Sequence, residues 1–326
     1  MRPYAYITRK LPEAVIEPLK QQFIVNMWDS EDIPVPKDVL LAEARKADAL
    51  LTMLTDPVDE SLLSAGERLK VVANMAVGYD NVDLKAASKY GIAVCNTPDV
   101  LTDSTADLTF ALLMATARRM EEAAQFVKDD KWKSWSPYLL AGQDIHHKTI
   151  GIVGMGKIGE AVAKRAAGFD MNILYYNRSP KPEVEQRLGA VYTAFNELVA
   201  QADFIVCLTP LTSETKNLFT IEVFRKMKKT AIFINASRGP VVNEQDLYEA
   251  LTLGEIAGAG LDVFEKEPIG REHPLLKLKN VIALPHIGSA TIETRTAMMT
   301  LCVENIEAIL MGSPPKTLVN KDWKPS

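Results

Sequence analysis

The sequence is short of the residues that mark a metal module. Its three cysteines, Cys95, Cys207 and Cys302, lie far apart among Val, Ile and Leu. None has the spacing of a metal-ligand set, so no metal is expected. They read as buried, reduced thiols, which suits a cytoplasmic enzyme. Long apolar runs are missing too. The most apolar helical stretch, LTFALLMATA (108–117), falls well below the roughly 20 residues that span a bilayer, and no membrane association is expected. Nor is there an excess of positive charge. With 37 Lys and Arg against 42 Asp and Glu, the net charge is −5 and the pI near 5.6. A nucleic-acid partner is therefore not expected, because its binder would show a basic face. The run RKMKK (225–229) reads as the solvated basic end of a helix. MRPYAYITRK passes straight into an alternating, strand-like pattern, so no signal peptide is expected. No solenoid repeat or low-complexity segment is visible.

What is present is an α/β alternation. At 326 residues, 47% apolar and 24% charged, the chain has the composition of an ordinary globular protein and the length of about two domains. YAYIT (4–8), FIVNMW (23–28), DALLTML (48–54), KVVANMA (70–76) and GIAVCNT (91–97) are strand candidates separated by helix-like segments. A second series starts at Thr149 with TIGIVG, NILYYN, DFIVCLT, AIFINAS, AGAGLDVF and VIALPH. Such alternation implies parallel sheets with crossover helices. Two long helices, 104–130 and 291–312, bracket the second series. The expected organisation is one domain of residues 1–100 with 291–326, interrupted by a second of residues 101–290.

GMGKIG places Gly154, Gly156 and Gly159 in a G-x-G-x-x-G pattern between an apolar strand and the helix EAVAKRAAGF. In that context the pattern points to a dinucleotide. The first glycine permits a tight turn, the second lets backbone reach the pyrophosphate, and the third lets helix and strand approach. The helix start then offers unpaired N–H groups to the phosphates. About 20 residues on, such a unit usually ends its second strand in an acid that holds the adenosine ribose. Here that acid is absent: the chain reads NILYYNRSPKPE (172–183). Asn177 removes the charge that would repel a 2′-phosphate, and Arg178 offers a bidentate fork to its oxygens. Ser179 and Lys181 would add donors. One charge-assisted hydrogen bond, about 1.5–3 kcal/mol, is worth tenfold or more in affinity, so NADP(H) is the expected cofactor. The alternative is a surface Arg178, with NAD(H) held by Asn177.

Polar residues at later strand ends suggest the chemistry. INASRGPVVN leaves Arg238 on a strand-to-helix turn, GLDVFEKEP supplies Asp262 and Glu267, and ALPHIGSAT places His286 after a strand and a proline. Ligands of open α/β sheets bind beyond the carboxyl ends of the strands, where all of these would face the cofactor. Reducing a 2-oxo acid creates an alkoxide that needs a proton, and His is suited to supply it near neutral pH. Glu267 beside His286 would favour the imidazolium. Arg238 would hold a carboxylate and polarise the oxo group. Asp262 would orient the nicotinamide amide or only cap a strand. His146, His147 and His273 read as structural.

The motifs NMAVGYDNVD, STADLTFALLMATARR, GIVGMGKIG, INASRGPVVN, GLDVFEKEP and LPHIGSATIETR occur in order along nearly the whole chain. Together they resemble the D-2-hydroxyacid dehydrogenase family, within it the glyoxylate/hydroxypyruvate and 2-ketogluconate reductases. The resemblance implies two Rossmann-like, doubly wound parallel-sheet domains. The substrate domain would be discontinuous and flavodoxin-like, with the active site in the interdomain cleft. It places the catalytic set on Arg238, Glu267 and His286, with Glu267 preferred to Glu265 because it directly precedes a proline. Substrate contacts would fall on backbone of Val77 and Gly78, on Arg238, and on Ser289 and Arg295. Cofactor contacts would fall on Lys157, Ile158, Leu208, Thr209, Ala236, Asp262 and Gly288. The implied activity is NADPH-dependent reduction of small 2-oxo acids to D-2-hydroxy acids. An NAD-dependent dehydrogenase of the same family is the runner-up, and a nucleotide-sensing scaffold like the related corepressors is a rival of another class. Many members carry Asp at the Asn177 position and use NAD, and formate dehydrogenases carry Gln where this chain has Glu267. The C-terminal regulatory domain frequent in phosphoglycerate dehydrogenases is not expected after Ser326. A homodimer is implied, with the aromatics of KWKSWSPYLLAG (131–142) either at its interface or packed on themselves.

Overall fold

The computed structural model describes residues 2–324, which form two compact units. One runs to Leu101 and resumes at Thr291, and the other spans Thr102–Ala290.

The first unit holds β1 (Tyr4–Ile7), β2 (Ile24–Met27), β3 (Ala49–Met53), β4 (Val71–Met75) and β5 (Ala93–Cys95). They form a parallel sheet of order β2-β1-β3-β4-β5, a flavodoxin-like winding. Strands covered on both faces read as continuous apolar runs, and β4 is buried at every position. At the edge, β2 alternates and leaves Ile24 exposed. The helix Ile292–Leu310 packs on β3, β4 and β5 and on the helix Glu13–Gln22. It buries Met298, Met299, Cys302, Val303, Ile306 and Ile309. The following segment is pinned to β5: Asn320 accepts from the Val94 N–H at 2.8 Å and donates to the Ile92 carbonyl at 2.9 Å.

The second unit holds β6 (Thr149–Val153), β7 (Asn172–Tyr176), β8 (Val191–Tyr192), β9 (Phe204–Cys207), β10 (Ile232–Asn235), β11 (Gly258–Leu261) and β12 (Val281–Ala283). All are parallel, in the order β12-β11-β10-β9-β6-β7-β8. The order reverses between β6 and β9, the switch point where such sheets bind ligands. At two residues, β8 is too short to leave a periodic signal in the sequence.

The long helix expected over 104–130 is two helices, Thr102–Ala117 and Met120–Lys128, broken at Arg119 with φ of 52°. The Ala117 carbonyl accepts from the Gln143 N–H at 2.9 Å instead of continuing the helix. Gly142 lies so close that a Cβ there would stand 2.2 Å from the same oxygen. The returning chain therefore ends the first helix, a tertiary contact that helix periodicity does not encode.

All three cysteines are buried free thiols, and burial pushes the Cys207 thiol up to about 11. Segment 131–142 forms no helix or strand. Trp132, Trp135 and Tyr138 are 55%, 78% and 87% exposed, which rules out the self-packed cluster. Among the described residues no helix is long and apolar enough to cross a membrane.

Candidate active site

β6 delivers the chain into the glycine turn. Gly154 has φ of 105°, and a Cβ there would sit 2.7 Å from the Leu208 carbonyl carbon and the Thr209 nitrogen. At Gly159 a Cβ would meet the Gly154 oxygen at 2.3 Å. Packing alone requires these two glycines. Gly156 differs: it caps the helix Lys157–Ala167, and nothing lies within 4 Å of where its Cβ would be. That open face at a helix start, with Lys157 and Ile158 as the first helical residues, fits a dinucleotide pyrophosphate. Leu208 and Thr209 close the far side of the turn, the Leu208 N–H donating to the Val153 carbonyl at 2.8 Å.

Asn177 follows β7, and its Oδ1 accepts from the Met155 N–H at 3.1 Å, tying the end of β7 to the glycine turn. Tyr192 donates to its carbonyl at 3.2 Å. Arg178 and Ser179 are exposed, and neither side chain has a hydrogen-bond or ion-pair partner among the described residues. Lys181 corrects the expectation of a third spare donor. Its ammonium pairs with Glu160 at 2.8 Å, where Arg187 also donates at 2.6 Å.

Arg238, Glu267 and His286 come from the loops after β10, β11 and β12. Asn235 organises the first turn: its Oδ1 accepts from the Ser237 N–H at 3.1 Å and the Ser237 hydroxyl at 2.8 Å, and its Nδ2 donates to the Arg238 carbonyl at 3.1 Å. The Ala236 N–H donates to the Cys207 carbonyl at 3.4 Å. Gly239 lets this turn lie against the next loop, since a Cβ would stand 1.8 Å from the Phe264 carbonyl carbon. Glu267 accepts from the Phe264 N–H at 2.9 Å through Oε1 and binds His286 Nδ1 at 2.7 Å through Oε2. Burial pushes the Glu267 carboxyl up. The His286 hydrogen bond and charge, the Phe264 N–H and the Arg238 charge outweigh it, so the net value lies below the ordinary range. With Nδ1 engaged, His286 presents Nε2 as its remaining ring nitrogen.

His286 has φ of 54°, a left-handed conformation costing a non-glycine residue about 1–3 kcal/mol. Asp262, 1% exposed, offsets this strain by accepting from the Ile287 and Gly288 N–H groups, both at 2.8 Å. Burial is the largest influence on its carboxyl and raises it, against the Ile287 and Gly288 N–H groups and the His286 charge. Asp262 thus clamps the histidine turn, a role its position at a strand end did not disclose. Gly288 lies beneath that clamp, where a Cβ would be 3.2 Å from Asp262 Oδ2, and Ser289 follows it. His273 pairs with Glu244 at 3.2 Å, while His146 and His147 lie edge to face with each other before β6.

In the first unit, Val77 and Gly78 follow β4. Their carbonyls accept from Asn96 at 2.8 Å and Asn74 at 3.3 Å. Their N–H groups donate to nothing among the described residues, the state expected of backbone that receives an anion. Arg295 lies in the first turns of the helix Ile292–Leu310. Among the described residues no three His, Cys, Asp or Glu side chains cluster as a metal site would.

Residues 110–288 match the model of the D-isomer specific 2-hydroxyacid dehydrogenase NAD-binding domain. The chain is 51% identical to the glyoxylate reductase of Thermococcus kodakarensis over 99% of its length and 97% of the relative's. It is 47% identical to that of Korarchaeum cryptofilum over 99% and 97%. Among solved structures it resembles the NADPH-dependent glyoxylate/hydroxypyruvate reductase of Sinorhizobium meliloti, in complex with NADP and malonate. That likeness has 32% identity, a TM-score of 0.87 and coverage of 100% and 99% of the two chains. The chain belongs to the D-isomer-specific 2-hydroxyacid dehydrogenase family, in its glyoxylate/hydroxypyruvate reductase branch, as an oxidoreductase that uses a nicotinamide cofactor on 2-oxo acids.

Proposed function

We propose that this protein reduces small 2-oxo acids, glyoxylate and hydroxypyruvate first and 2-ketogluconate as a larger candidate, to D-2-hydroxy acids with NADPH preferred over NADH. The observation that carries the reading is the 2.7 Å pair of Glu267 and His286, in loops at the carboxyl ends of β11 and β12. When bound, the nicotinamide dinucleotide supplies the hydride. His286 delivers the proton from Nε2 to the oxygen of the reduced carbonyl. Glu267 holds Nδ1 and balances the imidazolium charge. Arg238 polarises the oxo group as negative charge grows on it. The Val77 and Gly78 N–H groups take the substrate carboxylate, with Ser289 and Arg295 as further polar contacts.

The cofactor preference rests on Asn177, Arg178 and Ser179. An uncharged amide stands where an acid would repel a 2′-phosphate, beside a guanidinium with no partner of its own among the described residues. The NADPH-dependent relative from Sinorhizobium meliloti supports the same assignment. Arg178→Ala is expected to raise the KM for NADPH about tenfold or more and to leave that for NADH within about twofold. Initial rates with both cofactors and a panel of 2-oxo acids measure this. Equal effects on both would return Arg178 to a surface charge.

The exposed aromatics of 131–142 support a homodimer, because Trp and Tyr anchor buried interfaces. Light scattering is expected to give twice the 36.0 kDa chain mass, and Trp135→Ser to shift it toward one. A monomer at working concentrations would refute the assembly.

A further inference from the structure

The turn after β4 is held by its oxygens. The Ala76 carbonyl accepts from the Thr97 N–H at 2.8 Å. The Val77 carbonyl accepts from Asn96 Nδ2 at 2.8 Å, and the Gly78 carbonyl from Asn74 Nδ2 at 3.3 Å. In a planar trans peptide the N–H points opposite the C=O of the preceding residue. Fixing the Ala76 oxygen therefore aims the Val77 N–H, and fixing the Val77 oxygen aims the Gly78 N–H. The first is fixed by backbone, but the second depends on the Asn96 side chain.

Asn96 is itself braced from the end of the chain. Its carbonyl accepts from the Thr317 hydroxyl at 2.7 Å. Asn305, fully buried in the helix Ile292–Leu310, donates to that hydroxyl at 2.8 Å. Its Oδ1 accepts from the Lys316 N–H at 2.8 Å and the Thr317 N–H at 3.2 Å. A buried, satisfied asparagine that organises a tail against a neighbouring turn costs polar desolvation. Apart from the Leu301 carbonyl in its own helix, at 2.9 Å, its partners all lie in the Lys316–Thr317 segment that braces Asn96.

The geometry points to Asn96 as a positioning residue for substrate recognition: its amide locks the Val77–Gly78 peptide so that the Gly78 N–H faces the substrate carboxylate, with Asn305 and Thr317 as its brace. This rests on the assignment of the Val77 and Gly78 N–H groups to that carboxylate. The contact requires a donor, which the Asn96 amide nitrogen supplies, since the partner is a carbonyl oxygen. An Asp at 96 would set two acceptors against each other and drive the peptide to turn over.

The test compares the full-length enzyme with Asn96→Ala and Asn96→Asp. Steady-state kinetics with glyoxylate are paired with calorimetric titration of oxamate, a carboxylate that cannot be reduced at its amide, into cofactor-loaded protein. Loss of one charge-assisted hydrogen bond predicts a KM for glyoxylate and a Kd for oxamate raised about tenfold or more. The kcat and the KM for the cofactor should stay within about threefold. The effect should be larger in Asn96→Asp than in Asn96→Ala. Unchanged oxamate affinity in both variants, or no oxamate binding by the wild type, overturns the proposal. A fall in kcat and cofactor affinity without a change in oxamate Kd also overturns it, as a general loosening of the fold. If the wild type binds oxamate in an Asn96-dependent way yet reduces no 2-oxo acid, the functional reading fails and this one stands. Should both variants fail to fold, Thr317→Val decides, with a smaller rise in oxamate Kd expected and no change refuting.

Discussion

His286→Ala is expected to lower kcat/KM for glyoxylate by about 10²–10⁴-fold, the usual worth of a positioned general acid, and to leave the KM for NADPH within about threefold. The imidazole is one of only four in the chain, and it follows β12 with its Nδ1 at 2.7 Å from Glu267, whereas His273 pairs with Glu244 of a helix at 3.2 Å. Its backbone is held left-handed by two hydrogen bonds to Asp262, so removing the ring leaves its support standing and isolates the chemical loss. A variant keeping more than a tenth of wild-type turnover would end His286's assignment as proton donor. The partner adds a pH signature. The Glu267 carboxyl lies below its ordinary value of 4.5, so its stabilising contribution is fully present above about pH 4.5 and is lost as pH falls through the lower folded-state value. Glu267→Gln has nothing to titrate at that position. Thermal unfolding followed from pH 6 to pH 3 should therefore fall less steeply in the variant. Parallel curves would show that the pair does not contribute in this way.

Gly239→Ala is expected to destabilise the protein by about 3 kcal/mol or more and to remove most of its activity. The added Cβ would stand 1.8 Å from the Phe264 carbonyl carbon, 2.0 Å from its oxygen and 2.3 Å from the Glu265 nitrogen. All three are backbone atoms, which cannot rotate aside as a side-chain tip does. Either the Arg238 turn or the loop leading to Glu267 must shift, and both carry groups assigned to the reaction. Gly156→Ala is the matched control: with nothing within 4 Å of its Cβ, it should leave the unfolding temperature unchanged while weakening cofactor binding. Calorimetry on both variants decides. An unshifted unfolding temperature in Gly239→Ala would mean that the two loops are free to separate.

Much of the fold was legible because buried parallel strands are written as short apolar runs with polar ends. KVVANMA contains β4 and DFIVCLT contains β9 with a residue or two to spare at each end. The two-residue β8 and the break at Arg119 were not legible. One is too short for a period, and the other is imposed by the chain returning at Gly142 and Gln143. Within the site, residue types announced themselves where chemistry restricts the choice: an arginine after NAS, an acid before a proline, a histidine after LP. Supporting residues did not. Asn74, Asn96 and Asp262 are common polar residues at strand ends, and what distinguishes them is the backbone group each one holds. Lys181 shows the reverse case, a cation beside a phosphate-like sequence that is spent on Glu160.

By itself the sequence determined the alternation of strands and helices, the need for glycine at a strand-to-helix turn, and the absence of an acid at position 177. These are local properties, fixed by side-chain volume, backbone freedom and charge within a few neighbouring residues. Tertiary structure decided which distant groups meet. It set His286 at 2.7 Å from Glu267, closed Gly239 onto Phe264, and turned the Val77 and Gly78 oxygens inward to Asn96 and Asn74. Such pairings depend on strand order and on how loops from different strands pack, and residue spacing along the chain carries no record of either.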